Sequence, residues 1–153
     1  MKSLIIYISI HNKNTEKIAN VIASELDSEI VKVAELKNFD VSQYDVIGFG
    51  SGIYMSNFSG FIINVIRKMK GINGKKVFIF STSGNKKTFF NNFDKKIKEE
   101  LNKKEAILIG NYNCPGFDTF GPFKLIGGLN KGRPNEKDIA EAKVFAGKIK
   151  EAI

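Results

Sequence analysis

Seven consecutive residues, Ser9-Ile10-His11-Asn12-Lys13-Asn14-Thr15, crowd hydrogen-bonding side chains into one short stretch, and six of the seven are polar. Thr15-Glu16 read as the start of a helix, a cap residue followed by an acidic first turn. A helix N-terminus leaves four N–H groups without partners and carries about half a unit of positive charge. With hydroxyls from Ser9 and Thr15 and an amide from Asn14 beside them, those donors make a cradle for a phosphate. Ordinary capping by Asn14 or Thr15 would explain two of the six polar residues and leave the others without a reason. His11 is read as a hydrogen-bond donor, because no G-x-S-x-G elbow or Ser/His/Asp arrangement accompanies it. No catalytic residue is assigned.

Two further stretches could flank a flat ring. Residues 50–60 mix the glycines Gly50, Gly52 and Gly60 with Ile53, Tyr54 and Phe58, and Tyr54 could cover a ring face or pack into core. Ser81, Thr82, Ser83 and Gly84 offer hydroxyls and N–H groups. A phosphate cradle with two ring-flanking segments is what a flavin mononucleotide (FMN) requires. ATP and NAD are demoted, since the chain has neither G-x-x-x-x-G-K-[ST] nor a G-x-G-x-x-G opening the first helix. One histidine and one cysteine cannot supply the ligands of a zinc site, so no metal is expected.

Positioning these residues requires strands that end where they begin. Five runs have strand character, at 4–8, 29–33, 46–49, 76–80 and 106–109; the second alternates and reads as an edge, while the other four are continuously apolar. Helical periodicity follows the first run (Ile18, Val21, Ile22, Leu26) and the third (Phe61, Val65, Ile66, Met69, stopped by Gly71). It follows the fourth run too (Phe93, Ile97, Leu101, after Asn91-Asn92), and closes the chain (Ile139, Ala142, Ala146, Ile149, Ile153, after Pro134-Asn135-Glu136). Only a short helix is expected within 34–45. Alternating strands and helices predict an α/β three-layer sandwich around a parallel sheet, because parallel strands need crossover connections. Residues 111–133 read as one long irregular segment. Its Phe117, Phe120 and Phe123 can roof a pocket, pack as an inert Ω-loop or face a second subunit; we favour the inert packing. No linker or repeat divides the chain, so 1–153 is expected to be a single domain.

On these residues the chain resembles the flavodoxins and flavodoxin-like proteins over essentially its whole length. The family's phosphate motif is commonly [ST]-x-T-G-x-T; Ser9 matches its first position and Thr15 its last, with His11 at the third. This loop is one residue longer, and Lys13 stands where relatives place glycine, so a positive φ either strains Lys13 or is carried by Asn12 or Asn14. The segment from Gly48 to Tyr54 resembles the family's second, ring-contacting loop, and Ser81-Thr82-Ser83-Gly84 its third. The stretch from Cys114 to Asp138 resembles an extension of flavodoxin-family proteins from anaerobic bacteria and methanogens. The resemblance implies a five-stranded parallel sheet of order 2-1-3-4-5. It further implies FMN bound by Ser9, His11, Asn12, Lys13, Asn14, Thr15, Ser51, Gly52, Ile53, Tyr54, Ser81, Thr82, Ser83 and Gly84. Its implied activity is electron transfer, with the cofactor supplying the chemistry. An FMN-dependent NAD(P)H:quinone-type oxidoreductase and a non-flavin binding module are the alternatives.

Charge bears on partners. Of 24 basic residues 22 are lysine, and the net charge is +8. Residues 1–66 hold five basic and seven acidic residues, 67–104 hold twelve and three, and 105–153 hold seven and six, so the middle segment carries the excess. Base reading favours arginine, so nucleic acid is not expected. A lysine-rich solvated face is one reading and a docking surface for an acidic redox partner is another; Lys86 and Lys87, just beyond the third loop, belong to that excess. A positive protein should hold a flavin at a less reducing potential than the acidic flavodoxins do. No apolar run approaches the length of a membrane span. We expect a cytoplasmic monomer or weak homodimer.

Overall fold

The computed structural model describes residues 1–84, 92–119 and 121–153. Its strands are β1 (Ser3–Ile8), β2 (Glu29–Lys32), β3 (Val46–Tyr54), β4 (Asn57–Phe58), β5 (Lys76–Ser83) and β6 (Ile107–Pro115). Its helices are α1 (Asn14–Leu26), α2 (Gly60–Lys68), α3 (Lys95–Lys103) and α4 (Glu136–Glu151). The long strands pair in parallel in the order β2-β1-β3-β5-β6. This is the expected 2-1-3-4-5 arrangement with its last two numbers advanced by β4, a two-residue strand antiparallel to the end of β3.

Strand alternation sorts the core into two layers. Leu4, Ile6, Ile47, Phe49, Val77 and Ile79 turn to one face, under Ile62, Ile63 and Ile66 of α2 and Ile97 and Leu101 of α3. Ile5, Tyr7, Val46, Phe78 and Phe80 turn to the other, under Ile18 and Ile22 of α1 and Ala142, Ala146 and Ile149 of α4. Beside Phe78 and Phe80 the partner residues on β3 are Gly48 and Gly50. The phenylalanine rings lie across them so closely that a Cβ would sit 2.3 Å and 2.1 Å from ring carbon. Glycine there lets two large side chains lie flat on the sheet.

Three strands run further than their apolar cores predict. Ser51 and Gly52 of β3 pair with Ser81 and Thr82 of β5, and Ser81, Thr82 and Ser83 pair with Asn113, Cys114 and Pro115 of β6. Ladder hydrogen bonds need only backbone groups, so polar residues extend a strand once its neighbour continues. The irregular segment therefore begins after Pro115 rather than at 111. Within 34–45 there is no α-helix: one 3₁₀ turn, Val33–Glu35, precedes irregular chain whose Val41 and Tyr44 are core residues. α4 begins at the expected place, where the Asn135 side chain accepts from Lys137 and Asp138 N–H and the Asp138 carboxylate accepts from Asn135 N–H. Among the described residues no helix is long and apolar enough to cross a membrane.

Candidate cofactor cleft

The loop after β1 bends sharply because two consecutive residues, Asn12 and Lys13, both take φ of 53°. Left-handed backbone is costly for any residue with a Cβ, although asparagine tolerates it better than lysine. The bend brings the chain into α1 with Lys13 as the N-cap and no side-chain cap hydrogen bond. The leading N–H groups of α1 are thus left to another acceptor. At the root of the loop the Ser9 hydroxyl is buried with no hydrogen-bond partner among the described residues. Thr15, itself buried, shares one hydrogen bond with Thr82 of β5 at 2.9 Å between their hydroxyl oxygens. That contact uses one of two hydroxyl protons and leaves the other to donate elsewhere.

The loop's shape is held by a segment the sequence left as inert packing. The side-chain amides of Asn12 and Asn14 both donate to the Phe117 carbonyl, at 2.9 Å and 2.8 Å. Gly116 comes so close to Asn14 that a Cβ would lie 2.7 Å from its amide nitrogen. Lys17 donates to the Pro134 carbonyl, and Asn130 donates to the Gly84 carbonyl. Residues 116–118 are therefore a wall of the cleft, a correction to the inert reading for Phe117. Phe120 lies outside the described residues.

Opposite, β3 ends in a hairpin with β4, pairing Ile53 with Phe58 and Tyr54 with Asn57. Its two turn residues, Met55 and Ser56, have φ of 49° and 60°, the signs of a type I′ turn. Met-Ser lacks the Asn-Gly signature, which is why sequence reading missed this hairpin. The hairpin aims Tyr54 back over the cleft: a Cβ on Gly52 would lie 2.7 Å from the Tyr54 hydroxyl, and the His11 and Tyr54 rings meet edge-on with centroids 6.4 Å apart. Burial, with the Asp118 charge adding, pushes the Tyr54 phenol above its ordinary value, against the pull of the Ile10 backbone N–H. The phenol stays protonated near neutral pH.

One cleft of about 190 Å³ collects nine of the fourteen anticipated residues: His11, Asn14, Thr15, Gly52, Ile53, Tyr54, Thr82, Ser83 and Gly84. Met55, Gly116, Phe117 and Asp118 complete it. The five that do not line it are Ser9, Asn12, Lys13, Ser51 and Ser81. Ser9 keeps its hydroxyl, unpartnered among the described residues, and Asn12 and Lys13 shape the bend. Ser51 donates to the Gly52 carbonyl and accepts from Ser59 N–H, tying the end of β3 to the start of α2, and Ser81 accepts from Asn113. Asn85, Lys86, Lys87 and Asn91 lie outside the described residues. Among the described residues no group of His, Cys, Asp or Glu side chains could hold a metal ion. Burial first, then the Asp138 charge, pushes the Cys114 thiol up to about 12, so it remains protonated.

The head of α1 fits a phosphate monoester: an uncapped helix N-terminus, a buried hydroxyl unpartnered among the described residues and a spare hydroxyl proton all offer donors, while the one carboxylate lining the cleft, Asp118, lies on the Gly84 side. The ring end is tighter, since small-molecule pockets commonly span roughly 300–1,000 Å³. Tyr54, reaching back over Gly52, is the side chain that narrows it.

Residues 4–122 match the model of the flavodoxin domain, and the chain belongs to that family. It is 46% identical, over 97% of its own length and 98% of the relative's, to an uncharacterised protein of Methanocaldococcus jannaschii. In fold it is similar to the oxidised flavodoxin 2 of Bacillus cereus, at a TM-score of 0.72 and 20% identity with all of both chains covered. It is also similar to a flavoprotein of Lactobacillus acidophilus in complex with FMN, at a TM-score of 0.61 and 23% identity over 73% of this chain and 92% of that one.

Proposed function

We propose that this protein binds FMN and carries electrons. The observation that carries the reading is the head of α1, where two left-handed residues present uncapped N–H groups at the end of a loop whose Ser9 hydroxyl is buried and, among the described residues, unpartnered. The phosphate would lie there, held by N–H groups of residues 14–16 and hydroxyls of Ser9 and Thr15. The ring would lie between the end of β3 (Gly52, Ile53, Tyr54) and Thr82, Ser83 and Gly84 of the β5 end, with Phe117 closing one side. Bound there, the flavin supplies reversible one- and two-electron chemistry. The chain's own groups orient it, exclude water and set its potential through nearby charge. The FMN complex of the Lactobacillus relative supports the choice of flavin. In this reading the protein works in the cytoplasm with a protein partner.

The test is potentiometric. FMN-loaded protein should be reduced and reoxidised reversibly, at a potential above that of acidic flavodoxins, and should not turn over NAD(P)H with a quinone. Steady NAD(P)H-dependent quinone reduction would replace the carrier with the oxidoreductase.

A further inference from the structure

We propose that the groove beside the cofactor cleft is the docking surface for an acidic redox protein. The proposal rests on the carrier reading and assigns its partner a place. A second concavity, about 510 Å³, opens on the far side of Tyr54, with buried Phe58 at its floor and Ile10, Phe61, Asn64 and Lys96 around it. Tyr54 lines both the cleft and the groove, so an occupant of the groove sits one side chain from the cofactor. Apolar side chains project around it: Met55 is 95% exposed, Phe61 61% and Ile10 52%. They come from the β1–α1 loop, the β3–β4 turn and the start of α2, and among the described residues nothing covers the patch they form.

Charge selects the occupant. The groove belongs to the α2–α3 layer, and this layer turns its acids inward. Asp94 is buried against Lys98, and Glu100 is buried between Arg67 and Lys103. Of the three acidic residues in 67–104 only Glu99 faces out, while Lys68, Lys95 and Lys96 are exposed. The outer surface is thus more positive than the count of residues indicates. On the opposite layer α4 also buries one acid, Asp138, but it sets Glu136, Glu141 and Glu151 against Lys137, Lys143, Lys148 and Lys150, a smaller excess. Lys96 edges the apolar groove and exposed Lys68 and Lys95 lie on the same layer, and positive charge beside an apolar patch steers a partner of the other sign. A second copy of a chain at +8 would be repelled. A lipid surface would reach the projecting Met55 and Phe61 but not the concave floor. The fitting partner presents carboxylates around an apolar centre close to its own redox group.

The probe is an acidic plant-type [2Fe–2S] ferredoxin, titrated into isotope-labelled protein at low and high salt, with and without FMN. Amide shifts should cluster at Ile10, Met55, Phe61 and Lys96, and binding should weaken steeply with salt. Lys96→Glu combined with Lys95→Glu should weaken binding about tenfold or more, and Phe61→Ala about threefold at unchanged charge. FMN affinity should hold in all of these variants, none of which lines the cleft. Failure of FMN to bind would remove the carrier reading yet leave the shift map intact. Shifts spread equally over α4, no binding at low salt, or indifference to the charge reversals would overturn the docking surface. Sedimentation with phosphatidylserine vesicles in place of ferredoxin binding would overturn it in favour of a membrane.

Discussion

At the head of α1 the donors are backbone N–H groups, fixed by Asn12 and Lys13 in left-handed conformation and strapped through Asn12 and Asn14 to the Phe117 carbonyl. At the end of β3 the working surface is instead a side chain, Tyr54, which reaches back over Gly52 and narrows the cleft to about 190 Å³. If FMN binds as proposed, the phosphate end stands ready-made and selects charge, while the ring end, narrowed by Tyr54, selects shape. Preorganised donors lose little on binding, whereas a side chain that must move subtracts the cost of moving. Affinity should therefore reside mainly at the head of α1, and discrimination between flat ligands at Tyr54.

The largest effect that could break this contrast is a negative charge built into the cradle. Thr15→Asp puts a carboxylate where the phosphate would lie, and FMN affinity should fall about 100-fold, roughly 2.8 kcal/mol, while riboflavin is little affected. Calorimetric titration of both ligands checks it, and equal losses would make the two ends one site. At the ring end, Tyr54→Leu alters the aromatic contact and the narrowing together, so it should change FMN and riboflavin affinity by the same factor, about tenfold or less, leaving their ratio unchanged. A smaller effect concerns the bend itself. Lys13→Gly removes a left-handed lysine, and the FMN-free protein should gain about 1 kcal/mol and melt roughly 2–4 °C higher by calorimetry. An unchanged melting temperature would mean that the bend is unstrained.

The smallest effect tests the layer that carries the ring end. Arg67 first, with Lys103, holds the Glu100 carboxyl down at about 2. Its contribution to folding is complete above the ordinary glutamate range and is lost as pH falls from there toward about 2. Glu100→Gln should flatten the acid limb of the stability curve in that interval, followed by urea unfolding at successive pH values. A wild-type slope in the variant would assign the acid sensitivity to other carboxylates.

How much of this was legible in the sequence follows the same division. The strand cores, the helices and the edge position of β2 could be read because burial imposes periodicity, and the order of the parallel strands came with the family resemblance. The polar loop that suggested a cradle was legible since Ser9, Asn14 and Thr15 sit where a strand hands over to a helix. Lys13 was singled out for its backbone, and the structure divides the left-handed turn between it and Asn12. The polar ends of β3, β5 and β6 were not legible, because ladder pairing leaves no mark on side-chain type. Nor were residues 116–118: their part in the cleft rests on a carbonyl and on one glycine's closeness to Asn14, both fixed by tertiary contact a hundred residues from the loop they hold. The β3–β4 hairpin escaped for a similar reason, its turn being built from Met55 and Ser56.

The most direct measurement compares the unaltered protein's affinity for FMN with its affinity for riboflavin, by quenching of flavin fluorescence at fixed salt and pH. The two ligands share the ring and differ in the phosphate, so the ratio isolates the head of α1. FMN binding at least about 100-fold tighter is the predicted result, the worth of several charge-assisted hydrogen bonds. Equal affinities, or no binding of either ligand by folded protein, would contradict it.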